Sequence, residues 1–390
     1  MEIFLGLLII FIACIVIWKA CDGFEDASGY LGRNMKGGVK GATIDAIGSS
    51  MPELFTTFFF LVIAGDATGF ASGIGTTSGS AVFNIMIIPA AVIISVIVLN
   101  RKVKYITVNP KVILRDGIAL MLAILCLIIF VSEKELTWKH GAFLMSLYVV
   151  YVLSLVFIKI DNEGDEHEEY EYEEGEGGRL SALLKLDLSH AIMGNNAMNS
   201  SRAWVLLILS TSIVGGACHF LVTGCELLGQ GMGWDMYIVA LIFAAAATSV
   251  PDTIISVKSA NNGAYNDAIS NALGSNIFDI CFALGMPLTV YTLMTGESIK
   301  MSGEASEMDF IGQFRIILLF LTFAAMMIFY VGAKRKKLGA KSGYLLILMY
   351  VVFIGYTLAY TYNASWMQPF QEVFIDINNF LVGLNPFHKA

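Results

Sequence analysis

Ala46-Ile47-Gly48-Ser49-Ser50-Met51-Pro52-Glu53 and Ala245-Ala246-Ala247-Thr248-Ser249-Val250-Pro251-Asp252 share one order: hydroxyl, hydroxyl, any residue, proline, acid. Each lies inside a long apolar run. Downstream of the first comes Gly79-Ser80-Ala81-Val82-Phe83-Asn84-Ile85. Downstream of the second comes Gly274-Ser275-Asn276-Ile277-Phe278-Asp279-Ile280. The acid-to-serine gap is 27 residues in the first case and 23 in the second, which predicts an extra turn of helix or a longer hairpin around Gly65 to Gly75. Two motifs repeated in the same order mark a chain made of two related halves.

The surrounding composition says what medium the halves occupy. The 390 residues are 56% hydrophobic and only 14% charged, with a mean hydropathy of +0.71. A soluble core of this size could not cover so much apolar surface, whereas lipid can. Runs of about 20 apolar residues, the length that crosses the hydrocarbon layer as a helix, recur along the whole chain. Ten spans are predicted, near 3–21, 41–64, 72–99, 111–132, 141–159, 203–228, 235–258, 266–295, 311–332 and 344–361. The runs are continuous rather than alternating, which argues against a membrane barrel. The segment 369–386 is too short and mixed for a span and reads as an interfacial helix. The N-terminus has no basic leader region and reads as a retained first span.

The fold class expected is therefore an all-α membrane protein, with ten transmembrane helices arranged as two inverted five-helix repeats. The division is 1–160 for the first repeat, 161–202 for a linker, 203–365 for the second repeat and 366–390 for a tail. An odd number of spans per half makes the halves inverted, as in many secondary transporters. Basic residues cluster in the loops after spans 1, 3 and 9: Arg33, Lys36 and Lys40; Arg101, Lys102, Lys104, Lys111 and Arg115; Lys334 to Lys337 and Lys341. The opposite side carries Lys134, Lys139, Lys300 and Lys389. The positive-inside rule puts the basic loops and the linker in the cytoplasm and both termini outside. A bacterial inner membrane or a plasma membrane fits this count equally.

The net charge of −8 is dominated by the run Asp161 to Glu176, which lacks the ligand order of an EF-hand and reads as a hydrated linker. No basic face suggests a nucleic-acid partner. The six cysteines lie in or beside apolar runs and read as small buried residues. No phosphate loop or nucleophile–base constellation appears, so the chain reads as a transporter and not an enzyme, with no cofactor beyond the ions it moves.

The paired motifs carry the chemistry. Pro52 and Pro251 lack an amide proton, and they are expected to open their helices and free carbonyls near Gly48 to Ser50 and Ala247 to Ser249. An intramembrane carboxylate costs at least about 2.5–3.5 kcal/mol and is a functional candidate by default. Glu53 and Asp252 are expected to meet near the midplane. Two carboxylates with carbonyls and hydroxyls make an all-oxygen site suited to a hard cation such as Ca²⁺. Two close carboxylates do not both ionise without a cation or protons, so competing ions on one set of oxygens would give exchange.

These motifs, GSSMPE with GSAVFNI and ATSVPD with GSNIFDI, closely resemble the α-repeats of the sodium/calcium exchanger superfamily. The resemblance is strong over spans 2–3 and 7–8 and looser over the ten-span layout. It implies Glu53 and Asp252 as central Ca²⁺ ligands, with Ser49 and Thr248 adding carbonyls. It implies Ser50, Ser80, Asn84, Ser249, Ser275 and Asp279 as parts of flanking Na⁺ or K⁺ sites. Aspartate at 252 and the GSAVFN sequence resemble the potassium-dependent branch, so K⁺ co-transport joins the expectation. Ser49 stands where the family usually has threonine, and Ala247 where glycine is common. The implied partners are Ca²⁺, Na⁺ and the lipid bilayer, with oligomeric state open. The alternatives are H⁺/Ca²⁺ or other cation/H⁺ exchange, with protons alternating on the two acids, and a cation channel.

Four further polar residues stand out. Lys19 and Asp45 are placed to pair across helices near the cytoplasmic side, although Lys19 could equally snorkel to the interface. His219 and Glu226 in span 6 could line an ion path or form an interior hydrogen-bonded pair. Asn276, aligned with Ala81, could join the ligand shell or make an interhelical hydrogen bond, the second being favoured.

Overall fold

The computed structural model describes residues 1–32, 43–64 except Asp45, 67–99, 103–157 except 132 and 134, 182, 186–193, 198–300, 305–362 and most of 364–377. The acidic run 161–176, Asp45, several loop cations and the tail beyond 377 lie outside the described residues. Among the described residues there are ten helices long and apolar enough to cross a membrane. They are α1 (Glu2–Leu31), α2 (Ala46–Ile63), α3 (Thr68–Leu99), α4 (Pro110–Val131), α5 (Trp138–Leu155), α6 (Ser200–Met232), α7 (Met236–Asn261), α8 (Tyr265–Thr295), α9 (Ile316–Lys334) and α10 (Ala340–Thr361). The predicted spans all correspond to one of these, and the fold is an all-α membrane protein of two inverted five-helix repeats.

Loop contacts agree with ten alternating crossings. A two-residue ribbon, β1 (Glu135–Leu136) against β2 (Ile299–Lys300), joins the α4–α5 loop to the α8–α9 loop. A single bridge, Ile106 to Leu338, joins the α3–α4 loop to the α9–α10 loop. Each contact joins loops that an alternating path leaves on the same side.

Two apolar clusters form. One unites α3, α4, α5, α8, α9 and α10 with parts of α2 and α7. The other is built mainly from α1 and α6, with flanks of α2 and α7. The α1–α6 pair packs closely because small residues face each other. A Cβ added to Gly6 would come within 2.8 Å of the Gly224 carbonyl oxygen. Without a water-driven force between helices in lipid, such close van der Waals contact is what holds them together.

Helices α2, α7 and α8 are each irregular at a repeated motif. Helical geometry in α2 lapses at Ser50, between Ala46–Ser49 and Met51–Ala64. In α7 it lapses at Ser249, between Ala245–Thr248 and Val250–Asn261. Each lapse lies two residues before the proline, as Pro52 and Pro251 require. The opening is narrower than the sequence suggests. Ser50 still donates to Ala46 at 3.1 Å and its carbonyl accepts from Leu54 at 3.3 Å. Ser249 donates to Ala245 at 3.1 Å and its carbonyl accepts from Thr253 at 3.2 Å. The amide–carbonyl bonds that proline removes are those to Gly48 and Ala247 alone. In α8 a wider π-helical turn, Asp279–Ala283, begins at the motif's acid, a distortion common at functional sites.

The extra residues of the first half lie in both helical arms. From Glu53 the arm runs to Ala64, eleven residues, against nine from Asp252 to Asn261. From Ala67 to Ser80 is thirteen residues, against ten from Tyr265 to Ser275.

Candidate ion-binding site

All ten residues singled out in the sequence, Ser49, Ser50, Glu53, Ser80, Asn84, Thr248, Ser249, Asp252, Ser275 and Asp279, are fully buried at 0% exposure. Helices α2, α3, α7 and α8 bring them together. Within each half the serine holds its own acid. Ser80 Oγ donates to Glu53 Oε1 at 3.3 Å, and Ser275 Oγ donates to Asp252 Oδ1 at 2.8 Å.

Other contacts cross between halves. Asn84 Nδ2 donates to Asp252 Oδ2 at 3.2 Å. Ser80 Oγ lies 3.3 Å from Thr248 Oγ1 and 3.4 Å from the Ala245 carbonyl. Thr248 also faces Glu53, and Ser49 faces Asp252. Asp279 is close enough to feel both Glu53 and Asp252, and the Ser50 hydroxyl faces it without meeting hydrogen-bond geometry.

Ser80 and Asn84 sit four residues apart on α3, so their Cα atoms are separated by about 6 Å along the helix. One touches Glu53 and the other Asp252, so the two carboxyls are held from neighbouring turns of the same helix. Close approach of α3 and α7 makes this possible. At Gly79 a Cβ would fall 2.2 Å from the Leu241 carbonyl oxygen, so no larger residue fits there without moving α7.

The donor balance is unusual for a buried cluster. Buried polar atoms are normally hydrogen-bonded. Here Ser50 Oγ, Glu53 Oε2, Asn84 Oδ1, Ser249 Oγ and both carboxyl oxygens of Asp279 have no hydrogen-bond partner. Every one of these atoms is an oxygen. An unsatisfied group in hydrocarbon costs several kcal/mol, and a hard cation is what such oxygens accept. Among the described residues, no three His, Cys, Asp or Glu converge tightly enough to hold a metal by themselves. A cation here would need the hydroxyl and amide oxygens as well as the carboxylates.

Some residues outside the quoted motifs join the cluster. Asn271 Nδ2 bonds Ser256 Oγ at 3.0 Å and reaches the Asp252 carbonyl at 3.5 Å, and its Oδ1 has no partner. The signal was present in the sequence. A hydroxyl follows each acid by one turn, Thr57 and Ser256, and a polar residue precedes each serine by one turn, Thr76 and Asn271. Asn276 bonds the Ala81 carbonyl at 3.0 Å across α3 and α8, the interhelical role expected of it.

The structure places the other polar residues elsewhere. Lys19 pairs with Asp22 at 3.5 Å, one turn along its own helix. His219 is exposed on α6, its ring 5.3 Å from that of Phe59, and it is near enough to Glu226 for the two groups to interact electrostatically. The six cysteines are free, and four of them are buried.

Comparisons with known proteins identify the chain's relatives. An uncharacterised membrane protein of Methanocaldococcus jannaschii is 24% identical over 356 residues, covering 90% of this chain and 97% of that protein. The sodium/potassium/calcium exchanger 4 of Mus musculus is 27% identical over 161 residues, which is 41% of this chain. The match spans only 25% of that exchanger's length. A solved structure of the sodium-calcium exchanger NCX_Mj, soaked with Na⁺ and Sr²⁺, superposes with a TM-score of 0.55 at 20% identity, covering 90% of this chain and 99% of that one. The family model described as sodium/calcium exchanger protein matches residues 5–157 and 202–359, most of both repeats. The chain therefore belongs to the sodium/calcium exchanger protein family.

Proposed function

We propose that this chain exchanges Ca²⁺ for Na⁺ across a membrane, by alternating access at the site between Glu53 and Asp252. One observation carries the reading: buried oxygens from two inverted halves converge with no partner of their own. Glu53 and Asp252 take the central cation, with Ser49 and Thr248 beside them. Ser50, Ser80, Asn84, Ser249, Ser275 and Asp279 supply flanking oxygens for Na⁺. The neutral hydroxyls and amide favour Na⁺ over H⁺ as the coupling ion, since a proton needs only a carboxylate to carry it. Asp279, with both oxygens unpartnered, is the residue we assign to K⁺ if K⁺ is carried with Ca²⁺. The empty site holds mutually repelling acids in an apolar barrier, so it reorients poorly without its ions, and this couples the fluxes. We place the basic loops and the 161–202 linker in the cytoplasm, and residues 1–160 and 203–365 as the two repeats.

The test is Ca²⁺ uptake by purified protein in vesicles under imposed Na⁺, K⁺ and pH gradients, each applied alone. Uptake is expected to follow the outward Na⁺ gradient. Uptake indifferent to Na⁺ but driven by a pH gradient would replace this reading with proton exchange.

A further inference from the structure

Away from the ion site, a groove of about 600 Å³ opens to the membrane between α4 and α5, with α8 as its floor. Its walls are graded along their length. Lys111, Arg115 and Ser154 line one end, and Ile118, Leu122 and Leu147 the other. The antiparallel course of α4 and α5 puts Ser154 level with Arg115 and Leu147 level with Leu122. Leu114, Ile118 and Leu122, four residues apart on α4, are 48%, 53% and 49% exposed and form a continuous apolar strip.

The polar end is cationic. Lys111 is exposed at the start of α4, and among the described residues it has no ion-pair partner. Arg115 gives Nε to Asp116 Oδ1 at 2.6 Å and Nη2 to Asp116 Oδ2 at 3.1 Å. Guanidinium has five N–H donors, so three remain for a ligand in the groove. Asp116 itself is fully buried, and Tyr151 and Ser270 donate to it at 3.2 and 2.6 Å. Arg115 is thus held rigidly at the groove's mouth.

We propose that this groove binds one anionic phospholipid, its phosphate on Lys111 and Arg115 and one acyl chain along Ile118, Leu122 and Leu147. The dimensions match. From Lys111 to Leu122 is about 16 Å of helix, close to the roughly 15 Å of hydrocarbon in one leaflet. The charge match selects the headgroup, since basic pockets between spans attract anionic lipids. A zwitterionic lipid would satisfy the apolar strip but bring its own cation to the same end. The contact also reaches the ion site's scaffold. Ile277 at the groove's floor lies between Ser275 and Asp279, and Asp116 ties Arg115 to Ser270 on the same helix.

This does not depend on which ions are exchanged. The test is native mass spectrometry of the full chain released from vesicles of equal phosphatidylglycerol and phosphatidylcholine. The wild type is expected to retain one phosphatidylglycerol in preference to phosphatidylcholine. Lys111→Gln, an exposed change, should weaken that retention about fivefold, and Ala119→Trp, which fills the groove, should abolish it. Equal retention of the two lipids overturns the proposal, and so does unchanged phosphatidylglycerol retention in either folded variant. Should Ala119→Trp fail to fold, Lys111→Gln decides alone.

Discussion

Replacing Glu53 with glutamine separates a cation site from a structural acid, because the two roles predict opposite changes in stability. Ser80 and Asn84, which hold the Glu53 and Asp252 carboxyls, are offset by one turn of α3, and a spacing of about 6 Å is taken for the two charges. Two ionised carboxylates at that separation repel by about 3 kcal/mol at an effective dielectric near 20. Glu53→Gln removes this repulsion. It also keeps the acceptor that Ser80 uses, and its amide nitrogen takes the place of Oε2, which has no partner to lose. In chelator the variant should therefore be at least as stable as the wild type, by up to ~3 kcal/mol when both acids would be ionised. The wild type should gain about 2.7 kcal/mol from Ca²⁺ at a hundred times its dissociation constant. The variant should gain almost none, and its flux should vanish. The assay is thermal melting of purified protein with chelator and with Ca²⁺, alongside vesicle uptake. A variant that melts well below the wild type in chelator would mean that Glu53 holds the fold through a base, and the site assignment would fail.

Other perturbations follow from the same geometry. Gly79→Val should separate α3 from α7, because its Cβ would meet the Leu241 carbonyl at 2.2 Å, and both flux and the Ca²⁺-dependent melting shift should be lost. Arg115→Met should leave Asp116 buried and without its cation, costing about 3–5 kcal/mol in chelator-independent melting; an unchanged melting point would show that Asp116 has another counter-charge. His219→Gln, at an exposed position on α6, should leave Ca²⁺ uptake and its Na⁺ dependence at wild-type levels. A tenfold loss there would return His219 to the ion path.

Much was determined by the sequence alone, because the membrane reduces the problem to one dimension. A backbone in lipid must satisfy its own hydrogen bonds, so apolar length maps directly onto helices, and all ten spans could be read from it. The repeated hydroxyl-proline-acid and serine motifs likewise picked out ten residues that the fold buries together, since a polar group is kept at membrane depth only when it has something to do there. What the tertiary structure alone decided was the pairing between halves. That Asn84 serves Asp252 and Ser80 reaches Thr248 depends on how helices 168 residues apart in the chain pack, and no local periodicity encodes that. The same limit left the role of His219 open between two readings. A helix apolar on all sides does not announce which face meets lipid and which the interior. The proline breaks were right in position and too generous in extent, because the neighbouring amides at Leu54 and Thr253 recapture the carbonyls that an isolated kink would free.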